Sequence, residues 1–173
     1  GERFSPEQLL TWHALLTKRG GWLVVDEAFI DTTPEESLAS YSGKEGLIVL
    51  RSLGKFFGLA GARVGFVLAW PVLLQWLGDR LGPWTVSGPG RVVARLALHD
   101  IEWQAETRKR LARDSERLRS LLKYQGLPPD AGTALFQYSP CTQAARLHEK
   151  LAQQGILTRL FTEPSALRFG LPG

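Results

Sequence analysis

The apolar positions of this chain fall into two rhythms. Leu9, Leu10, Trp12, His13 and Leu16 follow the period of a helix. Ser5-Pro6-Glu7 ahead of them offers an N-cap and a proline at the first helical position, and Gly20-Gly21 offers a stop. Trp22–Val25, Leu47–Leu50 and Val64–Ala69 are instead short unbroken apolar runs. Such runs read as buried strands, and strands buried on both faces belong to a parallel sheet covered by helices. A loop of about a dozen residues after Leu50 leaves little room for a crossover helix, so the third strand is expected to run antiparallel to the second.

Further along, Pro71–Leu81 predicts a helix, and Gly82-Pro83-Trp84-Thr85-Val86-Ser87-Gly88-Pro89-Gly90 reads as a loop. Arg91 to Lys123 is charged and helix-forming, with a bend expected near His99-Asp100. After Gly126-Leu127-Pro128-Pro129, the pattern predicts a strand over Ala134–Tyr138, a helix over Thr142–Gln153 and strands over Ile156–Leu160 and Ala166–Phe169. The order predicts an α/β fold in two parts. Residues 1–104 make a mostly parallel sheet with helices, and residues 105–173 make a smaller α+β lobe.

Composition narrows the class. Of 173 residues, 44% are hydrophobic and 22% charged, which describes a folded globular protein and excludes a disordered one. The formal charge of +4 suits an anionic ligand as well as a nucleic acid. The basic run from Arg108 to Lys123 is interleaved with Glu102, Glu106, Asp114 and Glu116, the pattern of a solvated helix face, so no nucleic acid is expected. The single cysteine, Cys141, excludes an internal disulfide and fits a reducing compartment. Arg51, Lys55 and Arg63 interrupt the richest apolar region before it reaches the ~18 residues of a membrane span. A cytoplasmic location with no membrane partner is the expectation. His13, His99 and His148 stand on separate helical segments without ligand spacing, and no metal site is expected.

The chemistry concentrates in residues 49–69, VLRSLGKFFGLAGARVGFVLA. Lys55 lies beside Phe56 and Phe57, so by itself it reads either as a surface lysine or as a nucleophile held in an apolar site. Burial there, with Arg63 nearby, would favour the neutral amine. Ser52 precedes it and Arg63 follows, and a hydroxyl with a guanidinium around one lysine makes a phosphate cradle. The GxxxxGK[ST] spacing of a nucleotide P-loop is absent, and Phe56 replaces its magnesium-binding hydroxyl. Asp26 follows the run Trp22–Val25, where open α/β sheets collect ligands; taken alone, it would equally cap the next turn.

Together, Val25-Asp26-Glu27-Ala28-Phe29-Ile30-Asp31 and Ser52-Leu53-Gly54-Lys55-Phe56-Phe57-Gly58-Leu59-Ala60-Gly61 resemble the fold-type I pyridoxal-phosphate enzymes. Within them the wording is most like the histidinol-phosphate aminotransferase branch and its threonine-phosphate decarboxylase-like members of cobalamin synthesis. The resemblance implies that residues 1–104 are the C-terminal portion of a cofactor-binding large domain and residues 105–173 a small domain. It implies that Lys55 joins the aldehyde of pyridoxal 5′-phosphate, Asp26 pairs with the ring nitrogen, and Ser52 and Arg63 hold the phosphate. Arg168 would grip a substrate carboxylate and Arg159 a substrate phosphate. Relatives commonly carry Tyr at the place of Phe29. Gly1 resembles the last residue of the family's Asn-Pro-x-Asn-Pro-x-Gly segment, so the chain reads as a C-terminal piece, expected to be inactive alone. The implied activity is decarboxylation of L-threonine O-3-phosphate to aminopropanol phosphate by a homodimer. The alternatives are an aminotransferase acting on a phosphorylated amino acid such as histidinol phosphate, or a non-catalytic binding protein of this fold.

Overall fold

A computed structural model describes residues 3–171, so the place read for Gly1 lies outside the described residues. The chain divides into two compact units, one up to Ile101 and one from Glu102 onward.

In the first unit, helix α1 (Pro6–Thr17) starts where its cap predicts. The Ser5 hydroxyl accepts from the Gln8 N–H at 3.3 Å and the Gln8 side chain accepts from the Ser5 N–H at 2.9 Å, a reciprocal capping box. Strands β1 (Leu23–Asp26), β2 (Leu47–Ser52) and β3 (Gly65–Leu68) form one sheet in the order β1-β2-β3. Of its two pairings, β1–β2 is parallel and β2–β3 is antiparallel, as the short loop requires. One face presents Leu23, Val25, Val49 and Leu68, which with Leu47 and Leu38 enclose Leu9 and Leu10 of α1. Fully burying each such leucine contributes about 1.5–3 kcal/mol. The other face packs Ile48 and Leu50 against Ala69 and against Leu73 and Leu77 of helix α2 (Pro71–Leu81). His13 occupies the buried stripe of α1 because its ring Nε2 lies 2.8 Å from the Glu45 carbonyl, while Trp12 and Leu16 stay partly in solvent.

Helices α3 (Gly88–His99) and α4 (Ile101–Tyr124) meet at Asp100, the expected bend. However, α3 begins at Gly88, inside the stretch that composition reads as loop. The Ser87 hydroxyl accepts from the Gly90 N–H at 3.2 Å, and Pro89 falls in the first turn, where a missing N–H costs nothing.

The second unit holds β4 (Ala131–Thr133), β5 (Phe136–Pro140), helix α5 (Ala144–Gln153), β6 (Arg159–Thr162) and β7 (Ser165–Gly170). Its sheet runs β4-β5-β7-β6, antiparallel throughout, with α5 packed on β6 and β7 and with Ala166 and Leu167 fully buried. Two expectations are corrected. The strand read over Ala134–Tyr138 is one arm of a hairpin whose turn is Ala134-Leu135, where the Leu135 N–H donates to Thr133 Oγ1 at 3.1 Å and Ala131–Thr133 supplies the other arm. The strand read from Ile156 starts at Arg159. Gly155 takes a left-handed φ of 77°, and Ile156 N–H bonds back to the Leu151 carbonyl at 2.9 Å, so these residues close the helix instead.

Candidate active site

Because β1 and β2 are parallel, their carboxyl ends open the same way, β1 on Asp26 and β2 on Ser52. Asp26 is paired with Leu50, two residues before Ser52, and strand side chains alternate, so Asp26 and Ser52 share a face. Asp26 is exposed and its Oδ1 accepts from the Ala28 N–H at 3.0 Å. The Ser52 hydroxyl accepts from the Gly54 N–H at 3.1 Å, starting the turn that carries Lys55. A Cβ at Gly54 would lie 3.3 Å from that hydroxyl and 3.4 Å from Ala60 Cα, so glycine permits the two arms of the loop to approach.

The expectation that Phe56 and Phe57 bury Lys55 is corrected. Both rings turn inward and pack edge-to-face with centroids 5.0 Å apart, and Lys55 points to solvent. The loop folds back on itself through Leu59 N–H to the Leu53 carbonyl at 3.0 Å, which seats the aromatics in the core and leaves the lysine outside. The Lys55 ammonium lies 5.4 Å from the centre of the Phe29 ring, linking the Asp26 loop to the lysine loop.

Arg63 closes the short 3₁₀ turn Ala60–Ala62 with φ 52° and ψ 44°, a left-handed conformation rare for a non-glycine residue. The first turn of α3 presses on this segment. A Cβ on Gly90 would lie 3.2 Å from the Ala62 carbonyl oxygen and 3.3 Å from Val64 Cγ2. Ser52, Gly54, Lys55, Leu59, Ala60 and Arg63 help to line a cavity of about 300 Å³. One hydroxyl, an ammonium and a guanidinium around glycine backbone form a donor set for an anion. Asp26 is not among the residues that line it.

In the second unit, Arg159 and Arg168 are direct cross-strand partners of β6 and β7. The Arg168 guanidinium stacks 4.8 Å from the centre of the Phe136 ring, and Tyr138, its partner on β5, packs edge-to-face on Phe161 at 5.5 Å. Arg168 is thus held on an aromatic ring, and its cross-strand partner Arg159 adds a second exposed guanidinium, a pair whose chemistry suits an anion.

The profile of the family described as aminotransferase class I and II matches residues 1–173. The chain belongs to this aminotransferase class I and II family. Among relatives of the chain, a threonine-phosphate decarboxylase of Pseudomonas aeruginosa is 57% identical over 172 residues, covering 99% of this chain and 52% of that protein. Another threonine-phosphate decarboxylase, from Sinorhizobium sp, is 43% identical over 176 residues, covering 99% of this chain and 51% of that protein. Among solved structures, histidinol-phosphate aminotransferase from Sinorhizobium meliloti in complex with pyridoxal-5′-phosphate superposes with a TM-score of 0.86 at 26% identity, covering 99% of this chain and 49% of that one. The chain therefore spans about half the length of the relatives it matches.

Within this aminotransferase class I and II chain, one polar group escaped the sequence reading. Glu27 and Asp31, each 5% exposed, face Arg51, which forms ion pairs with both. Each stands in or beside a quoted motif, but strand alternation alone does not say that a charge is buried. Among the described residues, no group of three or more His, Cys, Asp or Glu side chains could hold a metal ion, and no helix is long and apolar enough to cross a membrane.

Proposed function

We propose that this chain carries the lysine-bearing part of a pyridoxal 5′-phosphate enzyme that decarboxylates L-threonine O-3-phosphate to aminopropanol phosphate in cobalamin synthesis, in the cytoplasm. The observation that carries the reading is the single cavity lined by Ser52, Lys55 and Arg63, just beyond the carboxyl ends of a parallel strand pair. The donor set fits the cofactor. The Ser52 hydroxyl and Arg63 fork suit its phosphate, the Lys55 amine suits its aldehyde, and the Asp26 carboxylate suits a protonated ring nitrogen. When bound, the cofactor supplies a protonated ring that takes up the electron pair left at Cα as carbon dioxide departs. Asp26 keeps the proton on that ring nitrogen, while Arg168 orients the substrate carboxylate and Arg159 its phosphate.

In this reading, residues 1–104 belong to the cofactor-binding domain and residues 105–173 to a small domain. The enzyme works as a homodimer that covers the apolar surface near residues 82–90, where Trp84 is 91% exposed. The likeness to a histidinol-phosphate aminotransferase structure supports a second reading, amino-group transfer on a phosphorylated amino acid.

A product assay decides. Protein of the relatives' full length, supplied with pyridoxal phosphate and threonine phosphate, is expected to release carbon dioxide and aminopropanol phosphate without a keto-acid acceptor. Lys55→Ala abolishes the release. Turnover only when an acceptor is added would establish the aminotransferase instead, and no turnover with either would make this a binding protein.

A further inference from the structure

The ends of β1 and β2 carry charge on both faces. Asp26 and Ser52 stand on one; their chain neighbours Glu27 and Arg51, by alternation, stand on the other. The strand pairing extends past β1, with Glu27 N–H donating to the Leu50 carbonyl at 2.8 Å. Arg51 then reaches across, its Nη1 lying 3.6 Å from Glu27 Oε2 and its Nη2 donating to Asp31 Oδ1. Glu27 is held from a third side, accepting from Ser37 Oγ and from the Leu38 N–H, each at 2.6 Å. The Arg51 Nη1 also lies 3.4 Å from Ser37 Oγ, so one guanidinium ties the 27–38 segment to the last turn of β2.

Stability alone does not account for this. Two carboxylates and one guanidinium taken out of water cost desolvation that their attraction barely repays, and apolar residues of similar size usually do as well. Close packing holds the end of β2 only in part, since Leu53 and Phe57 are buried there but a cavity adjoins them. Asp31, Arg51, Ser52, Phe57 and Phe66 border a cavity of about 220 Å³, so side-chain contact leaves Ser52 room to move. Beyond the ladder that pairs Ser52 with Gly65, directional charged bonds tie its chain neighbour Arg51 to Glu27 and Asp31.

We propose that Arg51, Glu27 and Asp31 are positioning residues that fix Asp26 relative to Ser52 and Lys55, and so hold the ring-nitrogen and phosphate ends of the cofactor site in register. The inference rests on the function proposed above. The cluster touches neither cofactor nor substrate. It acts through the chain neighbours of Asp26 and Ser52, and through the segment bearing Phe29, whose ring meets Lys55.

The test uses protein of the relatives' full length. For wild type, Arg51→Met, Arg51→Lys and Asp31→Asn, three quantities are measured: the dissociation constant for pyridoxal phosphate, the pH midpoint of the bound cofactor's absorbance, and the unfolding temperature without cofactor. Small displacements of positioned groups weigh heavily on such sites, so Arg51→Met should weaken cofactor binding about tenfold or more. Asp31→Asn, which keeps shape and hydrogen bonding, should weaken it severalfold. Both should displace the pH midpoint, because Asp26 shifts against the ring nitrogen, and Arg51→Lys should recover part of each effect. If Arg51→Met does not fold, Asp31→Asn alone carries the comparison. Variants that merely unfold at lower temperature, while binding the cofactor with wild-type constant and midpoint, would overturn the positioning role and leave the proposed function intact. Wild-type protein that binds no pyridoxal phosphate would overturn both.

Discussion

Arg63 shows how single residues set this site. Its left-handed backbone is a conformation that costs of order 1–3 kcal/mol in a non-glycine residue and persists only where neighbours enforce it. The neighbour here is Gly90, whose missing side chain lets α3 lie against the Ala60–Ala62 turn. A methyl group at Gly90 would also lie 3.0 Å from the Ser87 hydroxyl that caps the helix. Gly90→Ala is therefore expected to cost about 1–3 kcal/mol through overpacking and, on the proposed function, to weaken binding of the cofactor phosphate. Gly88→Ala, two residues earlier in the same turn with open space around it, should leave the unfolding midpoint unchanged or slightly higher. Thermal unfolding of the two variants side by side checks this; equal losses would mean that the close approach is not what matters.

At the scale of elements, the hairpin of β6 and β7 sets two arginines directly opposite each other. Like charges directly opposite in an antiparallel pair are unfavourable, and Arg159 faces Arg168 in that relation. Stacking on Phe136 holds Arg168 in place, whereas Arg159 is exposed. Arg159→Thr removes the repulsion and adds a β-branched side chain, so it should stabilise the second unit by a few tenths of a kcal/mol at low salt. The gain should shrink as salt screens the pair. The same variant should raise the KM for a phosphorylated substrate. Denaturation at two ionic strengths, set beside steady-state kinetics, reads both effects; a variant both less stable and kinetically unaltered would remove Arg159 from the ligand-binding role.

At the scale of the whole molecule, the chain spans about half the length of its relatives, and its candidate site is open. Lys55, Arg63 and Asp26 are all exposed, and Val24, on the same sheet face as Asp26, is 55% exposed. A cofactor attached to a lysine in water is readily lost, because burial and preorganisation supply much of the affinity. Residues 1–173 alone are therefore expected to hold pyridoxal phosphate at least about a hundredfold more weakly than protein of the relatives' length, and to show no turnover. Titration of both samples, with mass spectrometry of Lys55 after borohydride reduction, measures the difference, and sedimentation of the longer protein tests the homodimer. Saturation of the 173-residue chain at one equivalent with equal affinity would show the site to be complete in these residues.

What the sequence by itself determined was carried by signals that are local. The cap at Ser5 and the proline at Pro71 set the starts of α1 and α2, the short loop after Leu50 made β3 antiparallel, and the lysine motif is written in consecutive residues. The tertiary structure decided whatever depends on a partner distant in the chain. Pairing of Ala131–Thr133 with Phe136–Tyr138 turned one expected strand into a hairpin. The core took Phe56 and Phe57 and sent Lys55 outward, because two large rings gain from burial whereas an ammonium buried without a partner would lose its hydration. Arg51, on β2, supplies the cation that compensates Glu27 and Asp31, and a carboxylate in a sequence carries no mark of the cation that will compensate it.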